Sequence, residues 1–530
     1  MLFTSYEFIA FMLLCFIIYY LIPNKCQWMM LLIASYVFYF CAGTYYPLFI
    51  LATTATTYFF ARKMDSINAA QEQYLAEHKD FSREEKKAYK GKMASKRKTC
   101  MLLCLLFNIG ILAVIKYTNF VIHNINGILA ATGSETEIAF VEWLLPMGIS
   151  FYTFQSVGYL LDVYWGKVKA QKNFFKFALF VSFFPQLVQG PISRYADLEP
   201  TLFAEHKYNW YQVKLGLERI VWGFFKKLVI ADRLLVAVRY IIEDPEYYSG
   251  AFVLVGMIFY AIELYADFTG GIDITIGIAQ VFGVKLNENF ERPYFSKNIA
   301  EYWRRWHITM GTWFRDYIFY PMSISKSMQK TTGFAKKHFG KGVAKRLPVY
   351  IATMVTWFAT GIWHGASWNF VVWGLMNGLV ILISQEFQPL YDKFHAKFPK
   401  IGKTTGYKMF QIGRTFLLMS SLRLFDCYAD VKTAFMAFFS IFTNFDISML
   451  NAEEFLYFEL TLADYIIVAV GVVIMLIVSL LGRKGSVREQ LEQKPTFVRY
   501  TVYATMLLCV ILFGAYSIGY DATQFIYNQF

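Results

Sequence analysis

The chain is a succession of long apolar runs separated by shorter polar stretches. About 20 consecutive apolar residues are enough for a helix to cross the hydrocarbon core of a bilayer. Runs approaching that length predict membrane helices at residues 5–22, 27–42, 45–61, 99–122, 143–163, 174–190, 213–242, 250–267, 347–364, 368–385, 408–425, 462–482 and 497–519. The pattern predicts an all-α, polytopic integral membrane protein with about 11–13 transmembrane helices.

Two of these runs, 174–190 and 213–242, are weaker candidates for complete spans. The second carries charged residues along its length, and we expect it to be only partly immersed; among them are Arg219, Lys226, Lys227, Asp232 and Arg233. We expect one domain over residues 1–530, with N-terminal helices over 1–61, a core at about 100–385 and C-terminal helices over 408–530.

The composition supports a membrane protein and excludes other classes. Of the 530 residues, 57% are hydrophobic and only 17% are charged, which is incompatible with a soluble globular protein or a disordered chain. The seven cysteines form no C-x-x-C pair, so we interpret them as packing residues and expect neither a disulfide scaffold nor a metal site. The first basic residue, Lys25, follows an apolar run, which indicates a retained helix rather than a signal peptide.

The distribution of basic residues predicts an orientation in the cell membrane. The net charge is +13, and Lys and Arg concentrate in particular loops. Such loops remain on the cytoplasmic side, and this assignment places the N-terminus outside. The loops predicted to be cytoplasmic are 62–98, 324–346, 391–408 and 483–499. Topology explains the basic clusters, so we expect no nucleic-acid partner.

Three polar stretches stand out, because polar groups inside a bilayer are costly and usually functional. The first, 263–273, places Glu263 and Asp267 on one helix face and adds Asp273. Gly270 and Gly271 predict a break in this helix. The acids either neutralise nearby arginines and fix helix packing, or they line a path for a substrate.

The second stretch, 301–321, contains E-Y-W-R-R-W-H-I-T-M-G-T-W-F-R-D-Y-I-F-Y-P. We interpret it as one aromatic, amphipathic helix near a membrane interface, with His307 on the apolar side and Arg304 and Arg305 elsewhere. A histidine in that position is either a hydrogen-bonded structural residue or a catalytic one.

The third stretch, 361–374, contains G-I-W-H-G-A-S-W-N-F-V-V-W-G. His364 lies at the junction of two apolar spans, and the small residues around it leave room either for a ligand or for a tight helix–helix turn. Histidine is the natural proton acceptor near neutral pH. The predicted topology places His364 and His307 at opposite ends of one path.

These residues leave three classes of function open: an enzyme, a transporter or flippase, and a scaffold for cell-envelope assembly. A transporter or flippase would also need many spans and intramembrane acids, but its inverted repeats are not visible here. The sequence contains no phosphate-binding loop, H-E-x-x-H helix or G-x-S-x-G elbow.

The residues that would line or support a site come from all three polar stretches. They are Glu263, Asp267, Asp273, Arg304, Arg305, Trp363, Ser367, Asn369 and Asn377.

Five sequence blocks carry a family resemblance. They are F-F-P-Q-L-V-Q-G-P-I-S-R at 183–194, Y-A-D-F-T-G-G-I-D-I-T-I-G-I-A at 265–279, N-F-E-R-P-Y-F-S at 289–296, Y-W-R-R-W-H-I-T-M-G-T-W-F-R-D-Y at 302–317 and W-H-G-A-S-W-N-F-V-V-W-G-L at 363–375. In these blocks the chain resembles the membrane-bound O-acyltransferase (MBOAT) family, and within it the bacterial alginate O-acetyltransferase-like branch.

The resemblance implies a reaction and its participants. It implies helices around a central funnel or tunnel, and transfer of an acyl group, in this branch acetyl, from a cytoplasmic thioester to a hydroxyl of an extracytoplasmic envelope polysaccharide or partner protein. The donor would be acyl-CoA or an acyl-carrier thioester, with no bound cofactor. His364 would be the catalytic base, and His307 would orient the donor or stabilise oxyanion charge. A separate extracytoplasmic acyltransferase or esterase-like partner would complete the transfer.

One residue departs from the family pattern. Relatives often carry histidine in the W-G-L-x-H-G position, where this chain has Asn377. Asparagine can donate or accept a hydrogen bond but cannot act as a base. The rival branch is D-alanyl transfer to teichoic acid, whose members tend to be shorter.

Overall fold

The computed structural model describes residues 3–142, 145–428 and 430–516. Each regular element in these ranges is a helix, which confirms the all-α class. The chain forms two compact units: unit 1 is Met1–Val213 with Ile278–Asn287, and unit 2 is Lys214–Gly277 with Glu288–Phe530. The single-domain organisation stays a prediction.

The helices of the first part of the chain are α1 Tyr6–Leu21, α2 Gln27–Ala42, α3 Tyr46–Glu77, α4 Arg83–Ala131, α5 Ile149–Tyr164, α6 Phe174–Ser182, α7 Phe184–Gln189, α8 Tyr195–Leu202, α9 Trp210–Phe224, α10 Asp232–Glu243 and α11 Ala251–Val281. A π-helical segment, Phe225–Ala231, joins α9 to α10. The helices that follow are α12 Ile299–Arg305, α13 Ile308–Phe314, α14 Tyr320–Ser323, α15 Lys326–His364, α16 Trp368–Glu386, α17 Gln388–Lys397, α18 Thr405–Leu422, α19 Leu424–Cys427, α20 Val431–Thr443, α21 Ala452–Tyr457, α22 Leu462–Leu481, α23 Val487–Glu492 and α24 Thr496–Phe513.

Several helices have the length and composition of membrane spans. Within the described ranges six qualify: Asn24–Ala42, Arg83–Ala131, Ala251–Val281, Trp368–Glu386, Leu462–Lys484 and Thr496–Phe513. Apolar side chains on α22, such as Val470 and Val473, are exposed, as expected for a helix that faces lipid. The polytopic class is confirmed, whereas the count of 11–13 spans stays a prediction. The predicted spans 143–163 and 497–519 extend partly outside the described residues.

A long helical hairpin in unit 1 forms most of the basic segment 62–98. Helix α3 ends at Glu77, and α4 begins at Arg83 with a capping box in which the Ser82 hydroxyl accepts from the Glu85 N–H and the Glu85 carboxylate accepts from the Ser82 N–H. Hydrogen bonds from Ser82 lower the pKa of the Glu85 carboxyl. The segment is helical on both sides of the turn, and most of its basic side chains are exposed.

Helix α11 continues without interruption to Val281, so the prediction of a break at Gly270 and Gly271 is wrong. Gly270 serves close packing instead, because a Cβ there would lie 3.0 Å from the Gly223 carbonyl oxygen. A Cβ on Gly223 of α9 would lie 2.6 Å from the Gly270 carbonyl oxygen, and one on Gly277 would lie 2.7 Å from the Gly216 carbonyl oxygen. Small residues therefore let the two backbones approach each other.

Gly223→Ala is expected to destabilise the protein by about 1–3 kcal/mol, since the new methyl group meets backbone that cannot rotate away. The measurement is the unfolding temperature of the purified protein in detergent. Gly110→Ala is the control, because a Cβ there has no neighbour within 4 Å and a helical alanine is favourable. Equal unfolding temperatures for the two variants would contradict the close packing of α9 on α11.

Candidate active site

The histidines of the second and third polar stretches pack against the same tryptophan in unit 2. The ring centroid of Trp363 lies 6.0 Å from that of His307 and 4.9 Å from that of His364. His364 also contacts Trp373 at 4.6 Å between centroids. The expectation that the two histidines lie at opposite ends of a path is wrong, because a single indole ring connects them.

His364 is the last residue of α15, and a tight turn after it leads into α16. A Cβ on Gly361 would lie 2.3 Å from the Phe370 carbonyl oxygen, and one on Gly365 would lie 2.0 Å from the Phe370 ring. The small residues around His364 therefore produce the tight turn that the sequence left as one alternative. The turn holds the half-buried imidazole beside the tryptophans.

His307 lies at a break between two short helices, so the single helix predicted over 301–321 is wrong. Helix α12 ends at Arg305, His307 adopts a left-handed φ of 47°, and α13 begins at Ile308. The break results from backbone bonds to a distant segment: Glu291 N–H donates to the Arg305 carbonyl at 2.9 Å, and Ile308 N–H donates to the Asn289 carbonyl at 2.9 Å. The imidazole is fully buried, as its predicted apolar orientation required.

Asn289 also contacts the His307 side chain, and the sequence gave this residue no role. Its Oδ1 lies 3.2 Å from Nδ1 of His307. The only sequence signal was its position at the start of the N-F-E-R-P-Y-F-S block. Asn289 therefore joins the candidate site through both its backbone and its side chain.

A buried arginine, Arg423, is the second residue that sequence reasoning missed. Its guanidinium lies 5.0, 5.3 and 5.8 Å from the ring centroids of Trp306, Trp373 and Trp303. Asp426, one turn later in the chain, accepts from Arg423 Nη1 at 2.7 Å. A cation near several indole faces is favourable when it is desolvated, so Arg423 supports the tryptophans beside both histidines.

Two of the three acids of the first polar stretch, Asp267 and Asp273, pair with bases, which agrees with the first of the two interpretations, although lysine is the main partner. Asp267 Oδ1 lies 2.6 Å from Lys227 Nζ, and Asp273 accepts from Lys226 at 2.6 Å and from Arg219 at 2.7 Å. These ion pairs explain how segment 213–242 buries its charges. Glu263 is buried on the same helix.

Asp273 also lines a cavity of about 280 Å³, which agrees with the second interpretation of the acids. Its charged lining residues balance in sign: Arg219, Lys226 and Arg292 against Asp273, Glu288 and Glu291. Apolar residues complete the wall, among them Phe290, whose ring lies 4.7 Å from Phe268 between centroids. The Phe268 ring in turn lies 5.0 Å from His307, so two aromatic rings connect the cavity wall to the histidine.

The remaining candidates divide into supporting and remote residues. Asn377 Oδ1 accepts from Trp303 Nε1 at 3.2 Å, and Asn369 Nδ2 donates to the Tyr428 carbonyl at 2.5 Å, so both amides stabilise the helices around His364. Ser367 is the N-cap residue of α16. Arg304 is exposed, and Arg305 pairs with Glu301 at 2.6 Å.

Comparison with known proteins agrees with this arrangement. Residues 169–336 match the membrane-bound O-acyltransferase (MBOAT) family. A probable alginate O-acetylase of Azotobacter vinelandii is 31% identical over 388 residues, which cover 73% of this chain and 69% of the relative. The peptidoglycan O-acetyltransferase of Helicobacter pylori is 30% identical over 327 residues, or 57% and 58% of the two chains. The teichoic acid D-alanyltransferase of Bacillus subtilis is 28% identical over 253 residues, or 47% and 61%.

The fold and these similarities define a membrane-embedded acyltransferase that uses an acyl donor. The chain belongs to the MBOAT family, as the resemblance of its sequence blocks implied. Its activity is O-acyl transfer, and the transporter alternative is set aside.

Proposed function

We propose that this enzyme transfers an acetyl group from a cytoplasmic thioester to a hydroxyl of an extracytoplasmic envelope polysaccharide or partner protein, with His364 as the catalytic base. One observation carries the proposal: the histidines of two separate motifs, His307 and His364, pack on one indole ring. Two imidazoles so close together can serve one reaction centre, whereas histidines with unrelated structural roles need no common neighbour.

The reaction needs a proton acceptor at the attacking hydroxyl. His364 takes that proton while the hydroxyl oxygen bonds to the thioester carbonyl carbon. The C–S bond then breaks, the thiolate leaves and takes up the proton from the imidazolium, and an ester remains on the acceptor. His307 acts beside it on the donor or on the developing charge.

The charge-balanced cavity is the proposed entry for the donor arm. Acyl-CoA and acyl carriers both present their thioester on a pantetheine arm, whose amides are uncharged and both donate and accept hydrogen bonds. In the proposed topology the N-terminus is outside, and 62–98, 324–346, 391–408 and 483–499 are cytoplasmic. Gly482, at the end of α22, lines the cavity, which supports a position near the cytoplasmic surface in this topology. The basic loops would attract the donor's phosphates or an acidic carrier.

The acceptor is proposed from the names of the relatives and from topology. Those relatives are described as acting on alginate, peptidoglycan and teichoic acid, all envelope polymers. The outward segment 426–461, which contains α20 and α21, is the proposed contact surface for an extracytoplasmic partner that completes transfer.

Deleting the gene is expected to remove one class of acyl ester from the cell's envelope polymers, since this enzyme is the proposed source of that group. Mass spectrometry of the polymers before and after mild alkaline treatment measures the loss, and expression of the wild-type protein should restore it. Loss of acetyl ester is the expected result. Loss of D-alanyl ester would support the rival branch instead, and unchanged polymers would overturn the proposal.

A further inference from the structure

Three hydrogen-bonding groups converge on the side-chain oxygen of Asn289, which is fully buried. The backbone N–H of Thr309 donates to Oδ1 at 3.0 Å, and the Thr309 hydroxyl donates to it at 2.9 Å. Nδ1 of His307 lies 3.2 Å from the same oxygen. One amide oxygen therefore contacts both the histidine and the first turn of α13.

These contacts determine which way the amide faces. A backbone N–H can only donate, so the Asn289 atom that it meets must be the oxygen rather than the nitrogen. That oxygen can only accept, so Nδ1 of His307 must carry a hydrogen. In a neutral imidazole the other nitrogen, Nε2, then holds the lone pair.

The surroundings hold this arrangement in place. The backbone bond from Ile308 to Asn289 fixes the two segments at the position of the histidine. Phe268 and Trp363 pack on the imidazole and restrict its rotation. Burial of the imidazole and, after it, the positive charge of Arg423 lower the pKa of His307 and so oppose a second proton on the ring.

We propose that Asn289 is a positioning residue that fixes the neutral Nδ1–H tautomer of His307 and makes its Nε2 a hydrogen-bond acceptor. This inference rests on the proposed acyl transfer and separates the two roles left open for His307. An Nε2 that holds a lone pair orients a neighbouring N–H or O–H group by accepting a hydrogen bond from it. It does not donate to the oxyanion, because it has no hydrogen to give.

The tautomer can be measured without substrate, by ¹⁵N NMR of the full-length protein with labelled histidine. The chain has only seven histidines, so a His307→Gln variant identifies the His307 signals by difference. We expect a protonated Nδ1 and an unprotonated Nε2. The opposite pattern would overturn the inference even if acyl transfer depends on His307. Conversely, normal transfer by His307→Gln would contradict the proposed function and leave the tautomer assignment intact.

Variants at Asn289 connect the tautomer to the rate. Asn289→Leu removes the acceptor, and we expect mixed tautomers and at least about a tenfold lower kcat. Asn289→Asp keeps an oxygen in place, and the Asn289 nitrogen has no hydrogen-bond partner within the described ranges, so this variant should retain the tautomer and most of the rate. Thr309→Val, which removes one other donor to the same oxygen, should leave the tautomer unchanged. An unaltered His307 tautomer in Asn289→Leu would contradict the proposal.

Discussion

Replacing His364 with alanine is expected to lower the rate of acyl transfer by about 10²- to 10⁴-fold, the usual contribution of a positioned general base. The substitution removes the ring that packs on Trp363 and Trp373. The measurement is transfer of labelled acetyl from a thioester donor to envelope polymer in membranes that contain equal amounts of each protein.

His338→Ala is the matched control, because His338 lies in the same segment, α15, before its kink at Gly340, is exposed, and hydrogen-bonds with the Phe334 carbonyl four residues earlier. Both variants should elute from size exclusion and unfold like the wild type. A folded His364→Ala protein with the full transfer rate would remove His364 from the mechanism.

Replacing Lys227 with methionine is expected to reduce the free energy of unfolding by about 3–5 kcal/mol, the cost of breaking a buried ion pair from one side. The Lys227 ammonium lies 2.6 Å from Asp267 and 2.8 Å from Asp232, and the side chains of Lys227 and Asp267 are each 1% exposed. Methionine fills a similar volume but leaves both carboxylates without this cation. Denaturant unfolding in detergent measures the change.

A surface pair provides the comparison for that experiment. Arg346 lies 2.6 Å from Glu386, but the two side chains are 58% and 43% exposed. Arg346→Met should therefore change the free energy of unfolding by less than about 1 kcal/mol. Similar losses for the buried and the exposed pair would show that burial does not set the energy of the Lys227 network.

The sequence predicted the elements that depend on local pattern. Apolar runs identified the helical class, because that signal lies in consecutive residues of the chain. The motif blocks also identified His307 and His364, which the structure brings to the same tryptophan.

Features set by distant partners could not be read from the chain. The left-handed His307 depends on backbone bonds from residues 289–291, which no helical periodicity reveals. Glycine often interrupts a helix, so the sequence alone indicates a break at Gly270. The structure shows instead that Gly270 packs closely against α9. Arg423 lies in an unremarkable stretch, and its importance becomes visible only when three tryptophans surround it.

The buried bases in unit 2 have an electrical consequence for the enzyme. Arg219, Lys226, Lys227, Arg233 and Arg423 each have a carboxylate partner within 3 Å. The transmembrane voltage does work only on net charge that moves across the membrane, and this work is about 2.3 kcal/mol per elementary charge at 100 mV. In the proposed reaction the transferred acetyl group is uncharged and carries no current, so we expect the same transfer rate in energised and de-energised cells when the thioester supply is equal.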